Sequence, residues 1–182
     1  MAVQVGITVN AEGYVNSLGS IAKPQLDKIV ALALVDCAKS CKTQAAKVIA
    51  KRTGLKSALV KDRIWYQRVD PGDYEVEIKS SKRPIALIDF PVHQTATGVS
   101  TKAWGKLQLI RHAFIATMRN GHTGVYRRVT KKRLPIEQLW GPTIGGTFAQ
   151  PEVQKVVEKT MKARLQKSLA RRMAAAVRRQ SH

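Results

Sequence analysis

A chain of 182 residues with 44% hydrophobic content is long enough to bury one sizeable core and too apolar to be wholly disordered. Its charge is the unusual quantity: 32 Lys and Arg stand against 12 Asp and Glu, a net of +20, so a polyanion or an assembly partner is expected to relieve the self-repulsion. No signal-peptide pattern opens the chain, and the longest apolar run, 29–35, is far short of the ~18 residues that suggest a membrane span, so the expectation is intracellular synthesis without a membrane partner.

Val3, Val5, Ile7 and Val9 alternate with other residues and predict a short strand. Gly13 and the Ser17–Gly19–Ser20 cluster interrupt it. Lys23-Pro24 then opens a helix, because proline is tolerated in the first turn. Leu26, Ile29, Ala33, Cys37, Cys41, Ala45 and Val48 recur every three to four residues as one apolar stripe, and Gly54 after Thr53 is a natural stop, which gives a helix over 23–53. A shorter helix is expected over 56–67, ended by the turn Asp70-Pro71-Gly72-Asp73.

The period then changes. Tyr74, Val76 and Ile78 alternate with Glu75, Glu77 and Lys79, a half-exposed strand, and Ile85-Ala86-Leu87-Ile88 after Pro84 reads as a buried one. Residues 94–102 lack large side chains and are expected to form a mobile loop, or a hairpin tip ordered only by a neighbour. Ala113-Phe114-Ile115-Ala116 and Val125-Tyr126-Arg127-Arg128-Val129 flank Asn120-Gly121, a strong hairpin signal. Leu134-Pro135-Ile136 begins another extended piece, and Gly141-Pro142 with Gly145-Gly146 closes the β region. From Pro151 the helical period returns through Val153, Val157, Met161, Leu165, Leu169, Met173 and Val177. The predicted class is α+β in a single domain over 1–182. It comprises a long N-terminal helix (23–53), an antiparallel β-sheet with hairpins and a long loop (74–147), and a long C-terminal helix (151–178).

Charge is concentrated in the second half. No acidic residue occurs from Phe90 to Ile136, where nine bases stand, and residues 151–182 hold nine bases against Glu152 and Glu158. Two such blocks predict basic faces whose contact with phosphate needs no base-reading side chains and is therefore sequence-independent. The first-choice DNA-facing residues are Arg127, Arg128, Lys131, Lys132 and Arg133, because no acid lies between Asp89 and Glu137 to pair with them and they leave a strand for a loop. Second are the helix bases Arg171, Arg172, Arg178 and Arg179, whose side chains can instead snorkel beside the buried stripe.

Catalytic and metal chemistry finds no support. Two cysteines do not make a disulfide scaffold, and Cys37 and Cys41, four apart, fit two small apolar members of the helix stripe better than half a zinc site. The four histidines form no HxxxH pair, and there is no GxSxG, P-loop or GxGxxG motif; His122 reads as a solvated turn residue. No nucleophile has a base nearby, so neither an enzymatic function nor a cofactor or metal is expected. Trp65, Trp104 and Trp140 are dispersed and read as core or interface residues rather than base-stacking platforms.

The order of several short pieces is informative: Lys51-Arg52-Thr53-Gly54, Leu59-Val60-Lys61-Asp62-Arg63, Ala113-Phe114-Ile115 with Met118, Asn120-Gly121-His122, Val125 to Arg128, Leu134-Pro135-Ile136 and Gly141-Pro142. Together these resemble the phage minor tail protein Z family over roughly residues 23–178. Arg111-His112 departs from the Pro-Gly expected before Ala-Phe, so the turn into that strand is expected to differ. The resemblance implies a virion structural protein, made in the host cytoplasm, at the head-proximal end of the tail. It further implies tail-completion or neck subunits assembled as a ring, commonly sixfold, with neighbouring neck and tail proteins and the genome DNA as partners. Two other readings stand beside it: a ribosomal-like nucleic-acid-binding protein of the cell, and a small hydrolase with an unrecognised site. Helical periodicity in the C-terminal block disfavours the first, and the absent nucleophile disfavours the second.

Overall fold

Two long helices organise the molecule, which a computed structural model describes at residues 4–10, 23–67 and 69–180. The break expected at Gly13 and Ser17–Gly19–Ser20 lies outside these. Helix α1, Lys23–Thr53, has the predicted bounds. Gly54 ends it at φ +75°, its N–H donating to the Ala50 carbonyl at 2.8 Å, and a Cβ there would meet the Pro91 ring at 2.7 Å. Glycine is therefore required both by the left-handed backbone and by the space. The buried face of α1 is wider than the predicted stripe, since Ala31, Ala38 and Ala46 are buried too. Small side chains there let neighbours approach the helix on two sides.

One neighbour is the C-terminal helix, which runs antiparallel to α1. It spans Pro151–Gln180 and is α4 in chain order. Val153, Val157, Leu165 and Leu169 are buried, with Met161 and Met173 packed at the margin; the Val177 side chain lies outside the described residues. The Cys37 thiol faces the Met161 carbonyl at 3.6 Å and the Cys41 thiol the Val157 carbonyl at 3.7 Å. Arg52 and Glu152 form an ion pair near one end.

The other neighbour is a three-stranded antiparallel sheet in the order β1-β3-β2, built from β1 (Gln4–Asn10), β2 (Ile64–Tyr66) and β3 (Glu75–Ser81). Ile7 lies opposite Ile78, and Val76, Ile78 and Ser80 alternate into the core as the period-two pattern requires. Strand β2 corrects the sequence reading, in which a helix ran over 56–67. Helix α2 covers only Ser57–Asp62, and Ile64 then pairs with Ser80 while Trp65 turns outward. The free edge of β3 offers backbone partners that this short helical stretch cannot match.

The rest of the β region forms two further three-stranded sheets, β4 (Val92–Thr95), β5 (Gly98–Thr101) and β6 (Gln108–Arg111), then β7 (Ala113–Thr117), β8 (Thr123–Arg128) and β9 (Ile136–Gln138). The Asn120-Gly121 turn joins β7 to β8 as predicted, with Gly121 at φ +79° and Asn120 Oδ1 accepting from the His122 N–H at 3.0 Å. Three expectations are corrected here. Residues 94–102 take the hairpin form, the second of the two expected, but the β4–β5 strands are paired within the chain and anchored by buried Val99 and Thr101, so no neighbour is needed to form them. Residues 85–88 form a single bridge from Ala86 to Trp140 and a 3-10 turn at Leu87–Asp89, although Ile85 and Leu87 are buried as expected. Gly145 and Gly146 belong to a short helix α3, Ile144–Phe148, capped by the Thr143 hydroxyl, which accepts from the Gly146 N–H at 3.0 Å. Its fully buried Phe148 extends one hydrophobic core that joins the helix pair to all three sheets.

Candidate nucleic-acid interface

The β8–β9 hairpin carries the first-choice basic cluster. Strand register sets Arg127 opposite Glu137, and its Nε and Nη2 donate to Glu137 Oε1 at 3.1 and 2.6 Å. The expectation that no acid is near enough to pair with this cluster is thus corrected at one position, because strand pairing brings in the first acid beyond the acid-free run. An exposed pair of this kind contributes at most about 1 kcal/mol. Arg128 instead lies over the Phe114 ring, its guanidinium carbon 5.7 Å from the centroid, while Phe114 packs against Tyr126 at 6.3 Å. Lys131, Lys132 and Arg133 sit in the 129–135 connection, fully on the surface, and no ion pair joins them to an acid among the described residues.

Two adjoining clefts of about 700 and 710 Å³ flank this hairpin and share His112, Phe114 and Arg128. Arg111 lines one and Lys131 the other, and neither has an acidic lining residue. His112, between β6 and β7, takes φ +59°, a left-handed conformation that glycine adopts freely and a branched side chain does not. Its N–H donates to the Thr97 carbonyl at 3.0 Å, which ties the corner to the β4–β5 turn. The sequence marks this same position as a departure, with histidine where glycine is expected. Gln94 closes the corner from the other side, its Oε1 accepting from the Ile115 N–H at 2.8 Å.

The helix bases are held differently. Asp36, on α1, accepts at Oδ2 from Arg171 Nη2 at 2.9 Å, from Arg172 Nη2 at 2.7 Å and Nε at 3.1 Å, and from the Ser168 hydroxyl at 3.0 Å. Burial pushes the Asp36 carboxyl up, but the Arg172 and Ser168 hydrogen bonds and the two guanidinium charges outweigh it and hold the group below the usual aspartate range. Arg178 is exposed on α4, and the Arg179 side chain lies outside the described residues. The structure therefore brings Arg127, Arg128, Lys131, Lys132 and Arg133 together on one hairpin. It places Arg171 and Arg172 on a separate element, bound to an acid.

Asp36 is the residue that sequence reasoning missed. Its signal was present: a lone acid beside Cys37, at the edge of an apolar stripe, in a chain with few acids. Cys37 and Cys41 are buried free thiols within the stripe, as expected, and the Cys41 thiol is pushed up by its contact with Cys37 and by burial. Among the described residues, no group of three His, Cys, Asp or Glu could hold a metal ion, and no helix is long and apolar enough to cross a membrane. Trp65, Trp104 and Trp140 are 37%, 41% and 52% exposed, so the core half of their expected role is corrected and the rings stand at the surface. His122 is exposed in its turn, as read.

Neither a curated protein nor a solved structure matches the chain significantly. A family model described as prophage minor tail protein Z (GPZ) matches residues 10–181, nearly the whole chain, in agreement with the resemblance carried by the short motifs. That family is structural rather than enzymatic, and its members associate with other tail or virion proteins. The chain belongs to the prophage minor tail protein Z family and is a phage minor tail protein, a structural component of the virion.

Proposed function

We propose that this protein is a tail-completion or neck subunit, made in the host cytoplasm, that forms a ring at the head–tail junction and touches the genome DNA through sequence-independent phosphate contacts. The observation that carries the DNA contact is the Lys131-Lys132-Arg133 cluster, exposed on a connection between two strands and unpaired with any acid among the described residues. Side chains leaving such a connection can project into a channel, and phosphate contact needs only their charge. Arg128, stacked on Phe114, and Arg127, shared with Glu137, stand at the base of the same hairpin.

The test is the salt dependence of binding to a short duplex of arbitrary sequence. Neutralising one phosphate-binding cation lowers the log–log slope by about 0.9, so replacing Lys131, Lys132 and Arg133 together by Gln is expected to lower it by at most about 2.7, with the fold intact. An unchanged slope removes the hairpin as the DNA face. A wild-type protein without duplex affinity even at low salt would leave the basic blocks to acidic protein neighbours. Ring formation is checked separately by electron microscopy of the purified protein and by its position in intact particles.

A further inference from the structure

A second basic concavity lies between the two long helices, around Asp36. The cleft has a volume of about 330 Å³ and is lined by Asp36, Lys39 and Ser40 of α1 and by Arg164, Lys167, Ser168 and Arg171 of α4. Arg164, Lys167 and Arg171 follow at i, i+3 and i+7, so they share one face of α4, a spacing at which like charges repel. Lys39 brings a fourth cation from the facing helix. The one carboxylate is already engaged by two guanidinium groups and a hydroxyl. Among the described residues no acid pairs with Lys39, Arg164 or Lys167. Both serine hydroxyls donate to Asp36, Ser40 to its carbonyl at 3.0 Å and Ser168 to its carboxylate, so the unengaged donors facing the cleft are ammonium and guanidinium N–H groups. A concave site with one excess sign of charge focuses the field and attracts counter-ions.

We propose that this cleft is a phosphate seat: Lys39, Arg164, Lys167 and the outer N–H groups of Arg171 bind a phosphate oxyanion, and Asp36 is the positioning residue that holds Arg171 in place. The source of the phosphate is the DNA backbone, an assignment that rests on the DNA contact proposed above; free phosphate presents the same chemistry. The seat is distinct from the β8–β9 hairpin: Arg164 and Lys167 belong to the C-terminal basic block, and Lys39 joins them from the facing helix.

The experiment titrates the full-length protein with inorganic phosphate at constant ionic strength, then with a short duplex, following backbone amide signals by NMR. Phosphate is expected to move the signals of Lys39, Ser40, Lys167 and Ser168 along a saturable curve. The triple variant Lys39→Gln, Arg164→Gln, Lys167→Gln should weaken that response at least tenfold, and Lys167→Arg should retain it. Duplex should displace phosphate at the same signals, and the triple variant should lower the duplex salt slope by at most about 2.7. Shifts that do not saturate, or that survive the triple variant, overturn the seat. If duplex binding then still depends on the hairpin triple, the DNA reading stands without it. A saturable phosphate response with no duplex effect at the cleft supports the seat and assigns it to free phosphate. The exposed substitutions should leave thermal unfolding unchanged; should the triple variant unfold, the three single variants carry the same comparison.

Discussion

On the α1–α4 pair, Arg171 and Arg172 converge on Asp36 and Arg52 reaches Glu152, whereas on the β8–β9 connection Lys131, Lys132 and Arg133 stand exposed with no acid partner among the described residues. Similar residues in similar density therefore serve different ends. On the helices, part of the charge is neutralised across a packed interface and helps fix how α4 lies on α1. On the hairpin, among the described residues, Arg127 alone is paired with an acid and Arg128 rests on the Phe114 ring, while Lys131, Lys132 and Arg133 beyond them are held by the backbone. Charge density identifies a basic face, but only the acids brought within reach separate structural cations from those left for a partner.

Stability is expected to reside in the helix pair rather than in the hairpin. Leu34 is fully buried on α1, and Leu34→Ala is expected to destabilise by about 2–5 kcal/mol in urea unfolding. The hairpin triple replaced by Gln should change stability by no more than about 0.5 kcal/mol. Comparable losses from both would mean that the hairpin cations support the fold.

Asp36→Asn sharpens the distinction. It removes a charged acceptor of four hydrogen bonds from three residues and leaves two adjacent guanidinium groups without their counter-charge, so a loss of about 2 kcal/mol is expected near neutral pH. The folded-state pKa of Asp36 lies below its unfolded value near 3.9, so its contribution is fully present above that value and fades as pH falls through the lower, folded one. The gap between wild type and Asp36→Asn should be flat from about pH 5 to 8 and shrink below about pH 4. A gap that widens in acid would contradict the assignment.

Smaller effects belong to the β side. His112→Gly removes a left-handed strain of about 1–2 kcal/mol but adds unfolded-chain entropy of about 0.5–1 kcal/mol, so a net gain of about 0–1.5 kcal/mol is expected in thermal unfolding. A loss would show that the His112 side chain supports the corner. Glu137→Gln should cost about 0.5 kcal/mol or less, because its pair with Arg127 is exposed, and should raise the duplex salt slope slightly by releasing that guanidinium.

Much of this molecule is written in consecutive residues. The bounds of α1 follow from Pro24, the apolar stripe and Gly54; α4 follows from its stripe after Pro151; the β7–β8 hairpin follows from Asn120-Gly121 between two apolar runs. Each depends on free energies that act over a few neighbouring positions: a cap, a turn conformation, a repeating face. The acid-free run was likewise legible, and so was the hairpin cluster. What the sequence could not decide were partnerships between distant residues. Whether Ile64–Tyr66 continues a helix or joins a sheet depends on the edge of β3. The pairing of Arg127 with Glu137 depends on strand register, and the left-handed turn at His112 on where the β4–β5 turn places the Thr97 carbonyl. Asp36 lies 135 and 136 residues from Arg171 and Arg172, and nothing local in any of the three marks the others as partners. Packing of α4 against α1 chose that set, because burying two apolar stripes fixes which polar residues meet at their margin.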